Sequence, residues 1–351
     1  MPNCIHKLNK GSLTYVMQWS GSRLTGAALL VVGVLCAVVF SIFVGTRPTT
    51  IDEILTALGR PWDASTDIGA IVWSQRLPRT LLGLAVGASM ALAGALIQGH
   101  TRNPLADPGI LGISQGAAFA VVLGVFVFGA TSTDVLVWFA LLGAIFAAVT
   151  VFAISSIGTG AASPLTLVLV GAATTALFNA LTTTIILRDQ AGLNELRQWN
   201  TGSLTGRDLS VLAAVAPFLL VGAALAFLSA PTLNVLGAGD DIASSLGVNV
   251  PVARLLGLTG VTLLAGAATA AAGPIVFVGL VVPHAVRLLV GTNQCWIMPM
   301  SALAGALLMV LADVFGRILT RPSEIPGGIV IAFIGVPVFL ALVRRRTVAT
   351  T

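Results

Sequence analysis

The chain has 351 residues, of which 56% are hydrophobic and only 9% are charged, and its mean hydropathy is +0.99. Soluble domains carry about 25% charged residues, and a soluble core cannot hide this much apolar surface, so the soluble globular class is excluded. The net charge of +5 does not indicate nucleic-acid binding, because aromatic residues make up only 6% and the basic residues lie between apolar segments.

The apolar residues are arranged in long stretches without Asp, Glu, Lys or Arg. Many of these stretches are about 18 to 22 residues long, which is the length that an α-helix needs to cross the hydrocarbon core of a bilayer. The chain also contains 38 glycines, and small residues allow membrane helices to approach closely. An all-α polytopic membrane protein with a tightly packed bundle is predicted.

The chain begins with a basic segment, 1–23, which carries Lys7, Lys10 and Arg23 and no acid. The first apolar run, 24–45, is too long for the apolar region of a signal peptide, so it is predicted to be a retained first span with its N-terminus in the cytoplasm. Residues 46–75 are then expected outside, with a short interfacial helix near residues 50–55. A single transmembrane domain, 24–343, is predicted to end in a basic cytoplasmic tail, 344–351.

Nine more apolar segments follow, so that about ten spans are predicted and both termini face the cytoplasm. Gly273-Pro274 is a turn and helix-start signal that divides the seventh span from the eighth. Lys and Arg divide nine to nine between the two sides, so their total does not settle the orientation. The nine segments are 78–100, 108–129, 135–157, 164–187, 209–229, 252–272, 273–291, 300–319 and 327–343.

Several chemical motifs are absent from the sequence. The chain has no GxxxxGK[ST] phosphate loop, so any dependence on ATP and magnesium has to come from a partner. It also lacks a nucleophile elbow and an HExxH pair, so an enzyme is not predicted. Cys4, Cys36 and Cys295 are scattered without metal-ligand spacing, and no metal site or cofactor is expected in the chain.

The ninth predicted span contains an ionisable pair, Asp313 and Arg317. An isolated charge is costly in a bilayer, which makes Asp313 a candidate functional residue. The i,i+4 spacing also allows a structural ion pair on one helix face, with the arginine reaching towards water. Both interpretations stay open at this stage.

Three segments carry a more specific pattern. The first begins with Arg76-Leu77-Pro78-Arg79 and continues into 101–112, TRNPLADPGILG; the second is 199–204, WNTGSL; the third is 273–287, GPIVFVGLVVPHAVR, followed by Asp313, Arg317 and 324–328, EIPGG. In order and spacing, from about residue 76 to residue 345, they resemble the FecCD family of ABC-importer permeases, which move ferric siderophores, heme and cobalamin.

The resemblance implies a type II importer fold of the cobalamin-permease kind, working by alternating access. The expected partners are a second permease chain, with a heterodimer favoured, two ATPase subunits and an extracytoplasmic siderophore-binding protein, all at the bacterial inner membrane. Ferric siderophore is the expected cargo, and a heme or cobalamin permease is the alternative. An ion-coupled secondary transporter and a passive scaffold are rivals from other classes, although Asp313 alone is a poor match to the mid-membrane carboxylates of the former.

The resemblance also assigns roles to particular residues. The binding protein is expected to dock at Arg76, Arg79 and Arg317. The ATPase is expected to contact Asp240, Asp241, Ala243, Leu246 and Gly247. The translocation path is expected to be lined by Asn179, Thr182, Thr183, Trp199 and Ser203. His284 is expected to have a packing or hydrogen-bonding role, because no other ligand type lies near it in the sequence.

Overall fold

The computed structural model describes residues 10–63, 65–130, 132–155, 164–187 and 199–348. These residues form helices and no strand. The helices are α1 (Lys10–Phe43), α2 (Ile51–Leu58), α3 (Asp67–Ala70), α4 (Leu77–Thr101), α5 (Ile113–Phe126), α6 (Thr133–Ser155), α7 (Pro164–Ile186), α8 (Leu209–Leu236), α9 (Asp240–Ser245), α10 (Val250–Ala272), α11 (Val278–Val290), α12 (Gln294–Leu319) and α13 (Gly327–Val348).

Seven helices are long and apolar enough to cross a membrane, and three shorter apolar helices accompany them in the described part of the chain. Together they match the ten predicted spans, and the all-α membrane fold is confirmed. The end of the bundle that the sequence assigns to the cytoplasm is called the inner end below, and the opposite end is called the outer end.

Several span boundaries differ from the prediction: α8 continues to Leu236, and α12 already begins at Gln294. The eighth span does not begin at Gly273, because residues 273–277 are not helical and α11 begins only at Val278, after Phe277 in the left-handed region (φ 68°). The third span begins with a 3-10 turn at Pro108–Leu111, and Gly112 (φ 71°) separates this turn from α5. The termini differ as well: α1 already begins at Lys10, and α13 continues to Val348.

Helix α4 is the centre of the bundle and packs against α8, α10, α11 and α12. Glycines allow two of these contacts to form between backbones. A Cβ added to Gly94 would lie 1.9 Å from the carbonyl oxygen of Gly279 in α11, and one added to Gly87 would lie 2.3 Å from that of Gly305 in α12. Because glycine has no side chain at these two positions, the backbones of the paired helices come into direct contact. Close backbone contact makes dispersion contacts between the helices numerous.

The outer connection between α1 and α4 contains the predicted interfacial helix, now observed as α2. Thr50 and Glu53 form a capping box at its start, which satisfies two backbone N–H groups. Ile54 and Ala57 are buried against the bundle, whereas Ile51 and Leu55 are exposed. A short turn of π-helix, Ile71–Arg76, then leads into α4 and brings Arg76 and Arg79 to the outer end.

Candidate functional site

The three predicted docking arginines come together at the outer end, but they are not surface residues. Arg76 is 4% exposed, Arg79 is 7% exposed and Arg317 is 2% exposed. All three side chains are therefore buried, and their role in docking stays a prediction. The side chains fold inward because α1, α4 and α12 meet here and supply their hydrogen-bond acceptors.

Asp313 is the centre of this outer cluster and is itself 2% exposed. Its carboxylate accepts two hydrogen bonds from Arg79 Nε, at 3.0 and 2.9 Å, and one from Arg79 Nη2, at 2.8 Å. It also pairs with Arg317, whose Nε donates at 3.1 Å. The structural ion pair between Asp313 and Arg317 that the sequence left open is present within α12, and the pair of Asp313 with Arg79 joins α12 to α4.

Glu324 extends the outer cluster towards the surface. Its carboxylate accepts from Arg79 Nη1 at 2.6 Å and from the hydroxyl of Thr205 at 3.0 Å. The bonds connect α4 to the loops that precede α8 and α13. Sequence reasoning missed both residues, although Glu324 opens the EIPGG motif that was recognised without being assigned a role.

Arg76 differs from the other two arginines. Its guanidinium donates to the backbone carbonyls of Ile42 (2.8 Å) and Arg47 (3.2 Å) and to the hydroxyl of Thr49 (3.1 Å). No carboxylate pairs with it among the residues whose structure is described. It borders a cavity of about 310 Å³ that is also lined by Arg47, Arg79, Arg317 and Glu324, so this cavity has an excess of positive charge.

The predicted coupling segment forms the short helix α9 at the inner end. Ala243 is fully buried, whereas Ile242 is 50% exposed and Leu246 is 68% exposed. Gly247 adopts a φ of 86°, which ends the helix, and Val248 N donates to Ala243 O at 3.0 Å. Two large apolar side chains one turn apart are thus presented away from the bundle.

Asp240 fixes α9 to two of the central helices. Its carboxylate pairs with Arg102, which follows α4, and accepts a hydrogen bond of 2.5 Å from Arg254 Nη2 in α10. Arg102 also donates to the carbonyl of Leu236, the last residue of α8, at 2.9 Å. The two arginines were not predicted as site residues, although Arg102 lies inside the recognised TRNPLADPG motif. Asp241 is exposed.

The loop after Arg102 is held by Asp107. Its Oδ1 accepts from Gly109 N at 2.8 Å and caps the 3-10 turn. Burial of the carboxyl group raises the pKa of Asp107 to about 6, although the Gly109 hydrogen bond favours the ionised form. The Asn-Pro and Asp-Pro steps therefore form a compact inner reversal between α4 and α5.

The predicted path residues lie on α7 and in the loop before α8. On α7, Asn179 and Thr183 are exposed and Thr182 is buried. Trp199 and Ser203 are half-buried, and Ser203 N donates to Ala272 O at 2.8 Å, at the end of α10. Residues 188–198 lie outside the described residues.

The described residues contain no group of three or more His, Cys, Asp or Glu side chains placed to hold a metal ion. The chemistry of the described site is instead that of charged clusters at the two ends of a helical bundle. One cluster ties α4 to α12 and the outer loops, and the other ties α4, α8 and α10 to an exposed short helix.

Comparison with known proteins identifies relatives along almost the whole chain. The ferric enterobactin transport system permease protein FepD of Escherichia coli is 42% identical over 332 residues, covering 93% of this chain and 98% of the relative. The probable siderophore transport system permease protein YfiZ of Bacillus subtilis is 39% identical over 310 residues, covering 88% and 92%.

A solved structure shows the same fold. It is the inward-facing conformation of a metal-chelate type ABC transporter, with a TM-score of 0.79 and 30% identity, covering 91% of this chain and 98% of that chain. The family model of the FecCD transport family matches residues 29–345. This match spans every apolar helix of the bundle and both charged clusters, and the chain belongs to the FecCD transport family.

Proposed function

We propose that this protein is the membrane-spanning permease subunit of an ABC importer that carries ferric siderophore into the cytoplasm. The observation that carries the proposal is the exposed α9 helix, tied by Asp240 to the two central helices α4 and α10. A chain without a phosphate loop needs a surface through which an ATPase can move it, and α9 provides one. Relatives named as siderophore and enterobactin permeases support the cargo class.

Uptake by the reconstituted transporter tests this function. Vesicles containing the permease chains, the ATPase and the binding protein should accumulate ferric siderophore only with ATP, and vanadate should stop the accumulation. Uptake driven by an ion gradient without ATP would instead establish a secondary transporter. Competition with heme and with cobalamin distinguishes the two alternative cargoes, and an absence of any ATP-dependent uptake would favour a scaffold.

The proposed orientation places both termini in the cytoplasm. Ten apolar helices return the chain to its starting side, and Lys7, Lys10 and Arg23 precede the first of them. The same orientation puts α9 on the side where ATP is available. A membrane-impermeant protease should therefore remove a C-terminal tag from inverted vesicles and leave it intact in spheroplasts.

The proposed assembly contains a second permease chain, two ATPase subunits and a binding protein. A heterodimer of permeases is favoured because the TRNPLADPG motif and the basic ending 343–346, VRRR, resemble those of ferric catecholate permeases, and such systems often pair two different chains. Co-purification of two differently tagged copies of this chain would show a homodimer instead.

Docking of the binding protein is proposed at the outer cavity beside Arg76. Arg79 and Arg317 are engaged by Asp313, so the cations within reach of a partner's carboxylate are Arg76 and Arg47, whose 56% exposed side chain forms only an exposed pair with Asp67 at 3.6 Å. Arg317→Glu is a poor test of docking, because it would place an acid against Asp313. The better test is Arg47→Glu, which changes the cavity rim only.

We expect Arg47→Glu to slow association of the binding protein about tenfold at low ionic strength, because charge on the rim steers the encounter. The difference should shrink at high salt, where the Debye length falls to about 3 Å. Stopped-flow association at several salt concentrations measures both effects. An association rate that equals wild type at low salt would rule out docking at this rim.

The translocation path is proposed along the exposed face of α7 and the loop at Trp199–Ser203. Asn179 and Thr183 give this face polar groups that hydrocarbon would not favour. In a chain whose three cysteines are replaced by serine, Asn179→Cys and Thr183→Cys should react with a charged thiol reagent when the path is open. Thr182→Cys, at a position that is 5% exposed, is the protected control. Equal protection of all three would place this face against lipid or another helix.

A further inference from the structure

A second polar cavity lies at the inner end of the bundle. It has a volume of about 680 Å³ and is bounded by the last turns of α4 and α8 and by the tight turn between α11 and α12. Arg102 belongs both to its wall and to the Asp240 pair that holds α9. The cavity and the exposed helix α9 are therefore neighbours on one surface.

The cavity is lined by cations without acids. Arg287 Nη1 donates a hydrogen bond to Gln98 Oε1 at 3.1 Å. Among the described residues, no carboxylate lies within ion-pair distance of Arg287. Arg102 has to share Asp240 with Arg254. No Asp or Glu occurs among the described residues that line the cavity. A half-buried arginine with one neutral partner leaves most of its five N–H donors for a ligand.

The opposite wall is polar and already organised. Asn234 Nδ2 donates to Asn293 Oδ1 at 3.1 Å, and Asn234 Oδ1 accepts from Gln294 N at 2.8 Å, which fixes the start of α12 against α8. Gln294 is 8% exposed, and its side-chain Oε1 is buried without a hydrogen-bond partner. A buried acceptor of this kind is costly unless a donor is supplied.

We propose that this cavity is a second contact for the ATPase subunit, which inserts an acidic side chain between Arg287 and Arg102. A peptide segment brings both missing groups, because its carboxylate can accept from Arg287 while a backbone N–H can donate to Gln294. The cavity lies at the level of the inner loops and beside α9, so a protein seated on α9 covers it, whereas acyl chains lie deeper. The proposal rests on the proposed function, since it needs an ATPase on α9.

Two substitutions at Arg287 separate its charge from its hydrogen bond. Arg287→Gln removes the charge but keeps an N–H donor for Gln98, whereas Arg287→Glu reverses the charge. In the full transporter in vesicles, we expect the affinity for the ATPase to fall about tenfold with Arg287→Gln and about a hundredfold with Arg287→Glu. The salt dependence of assembly should also become shallower. Arg60→Gln, an exposed arginine at the outer end, should change neither quantity.

Charge-reversal rescue identifies the occupant. An Asp→Arg or Glu→Arg change in the ATPase should restore its assembly with the Arg287→Glu permease. The same changed ATPase should assemble poorly with the wild-type permease. If the loss with Arg287→Gln disappears in vesicles of phosphatidylcholine alone, an anionic lipid occupies the cavity and the proposal is overturned. Assembly unchanged by Arg287→Glu also overturns it. Leu246→Asp distinguishes the α9 contact from the cavity contact. If Leu246→Asp abolishes assembly and Arg287→Glu does not, α9 remains the proposed ATPase surface and only the cavity contact is rejected.

Discussion

Asp313→Ala should unfold or misassemble the outer end of the permease, because it leaves Arg79 and Arg317 buried without their shared carboxylate. Removal of one partner from a buried ion pair costs about 3–5 kcal/mol, and here two cations lose the same partner. Glu324 cannot replace it, since it contacts Arg79 Nη1 from the surface side. We expect a large fall in the thermal midpoint of the purified permease and a smaller yield of monodisperse protein.

The matched control is Asp67→Ala. Asp67 pairs with Arg47 at 3.6 Å on the same side of the molecule, but the two side chains are 83% and 56% exposed. Exposed pairs contribute about 0–1 kcal/mol, so this variant should melt close to wild type. A neutral quadruple variant, Arg79→Met, Asp313→Leu, Arg317→Met and Glu324→Gln, should recover much of the stability lost by Asp313→Ala, because none of these ion-pair partners keeps an unpaired charge. Equal midpoints for Asp313→Ala and Asp67→Ala would show that the cluster does not hold the helices together.

Leu246→Asp is expected to abolish transport while leaving the permease folded. Leu246 is 68% exposed and stands one turn from Ile242 on α9, so an acid there costs the isolated chain little. In the assembled importer the same side chain would lie in an apolar contact with the ATPase, where a lost anchor typically costs about 2 kcal/mol or more. The ATPase should no longer co-purify with the permease, and siderophore uptake should fall to background.

Two comparisons make this prediction specific. Leu55→Asp alters an equally apolar exposed leucine on α2 at the outer end, and ATPase co-purification should remain normal with it. Ala243→Trp lies on α9 but replaces a fully buried residue, so it should damage the permease itself and lower its thermal midpoint. Normal co-purification and uptake with Leu246→Asp would remove α9 from the ATPase interface.

The charged clusters around Asp240 and Asp313 have different roles in the proposed transport cycle. In the importer proposed above, Asp240 would transmit movement of α9 to α4 and α10, because it pairs with Arg102 after α4 and with Arg254 in α10. At the outer end, α4 is bound to α12 through Asp313, and α10 is bound to the loop before α8 through Ser203. The tightly packed centre conveys such displacements because a close-packed interior has little compressibility.

The amino-acid sequence by itself determined the membrane class, the number of apolar helices, the short helix α2 and the family. Each of these depends on local information. A bilayer requires about 20 apolar residues for each long span, a capping box such as Thr50 to Glu53 marks a helix start, and a motif is a property of order and spacing. The Gly273-Pro274 signal marked the end of α10 correctly, but the predicted start of the eighth span was wrong, because the same signal also fits the non-helical segment 273–277 that precedes α11.

Only the tertiary structure decided what the charged residues do. Arg79 and Asp313 are 234 positions apart in the chain, and Arg102 and Asp240 are 138 positions apart, so neither pairing can be seen from spacing along a helix. Topology placed Arg76, Arg79 and Arg317 correctly at one end, but their burial follows from three helices meeting around Asp313. The same holds for Arg287, because its position without an acidic partner among the described residues becomes visible only when the inner ends of α4, α8, α11 and α12 are brought together.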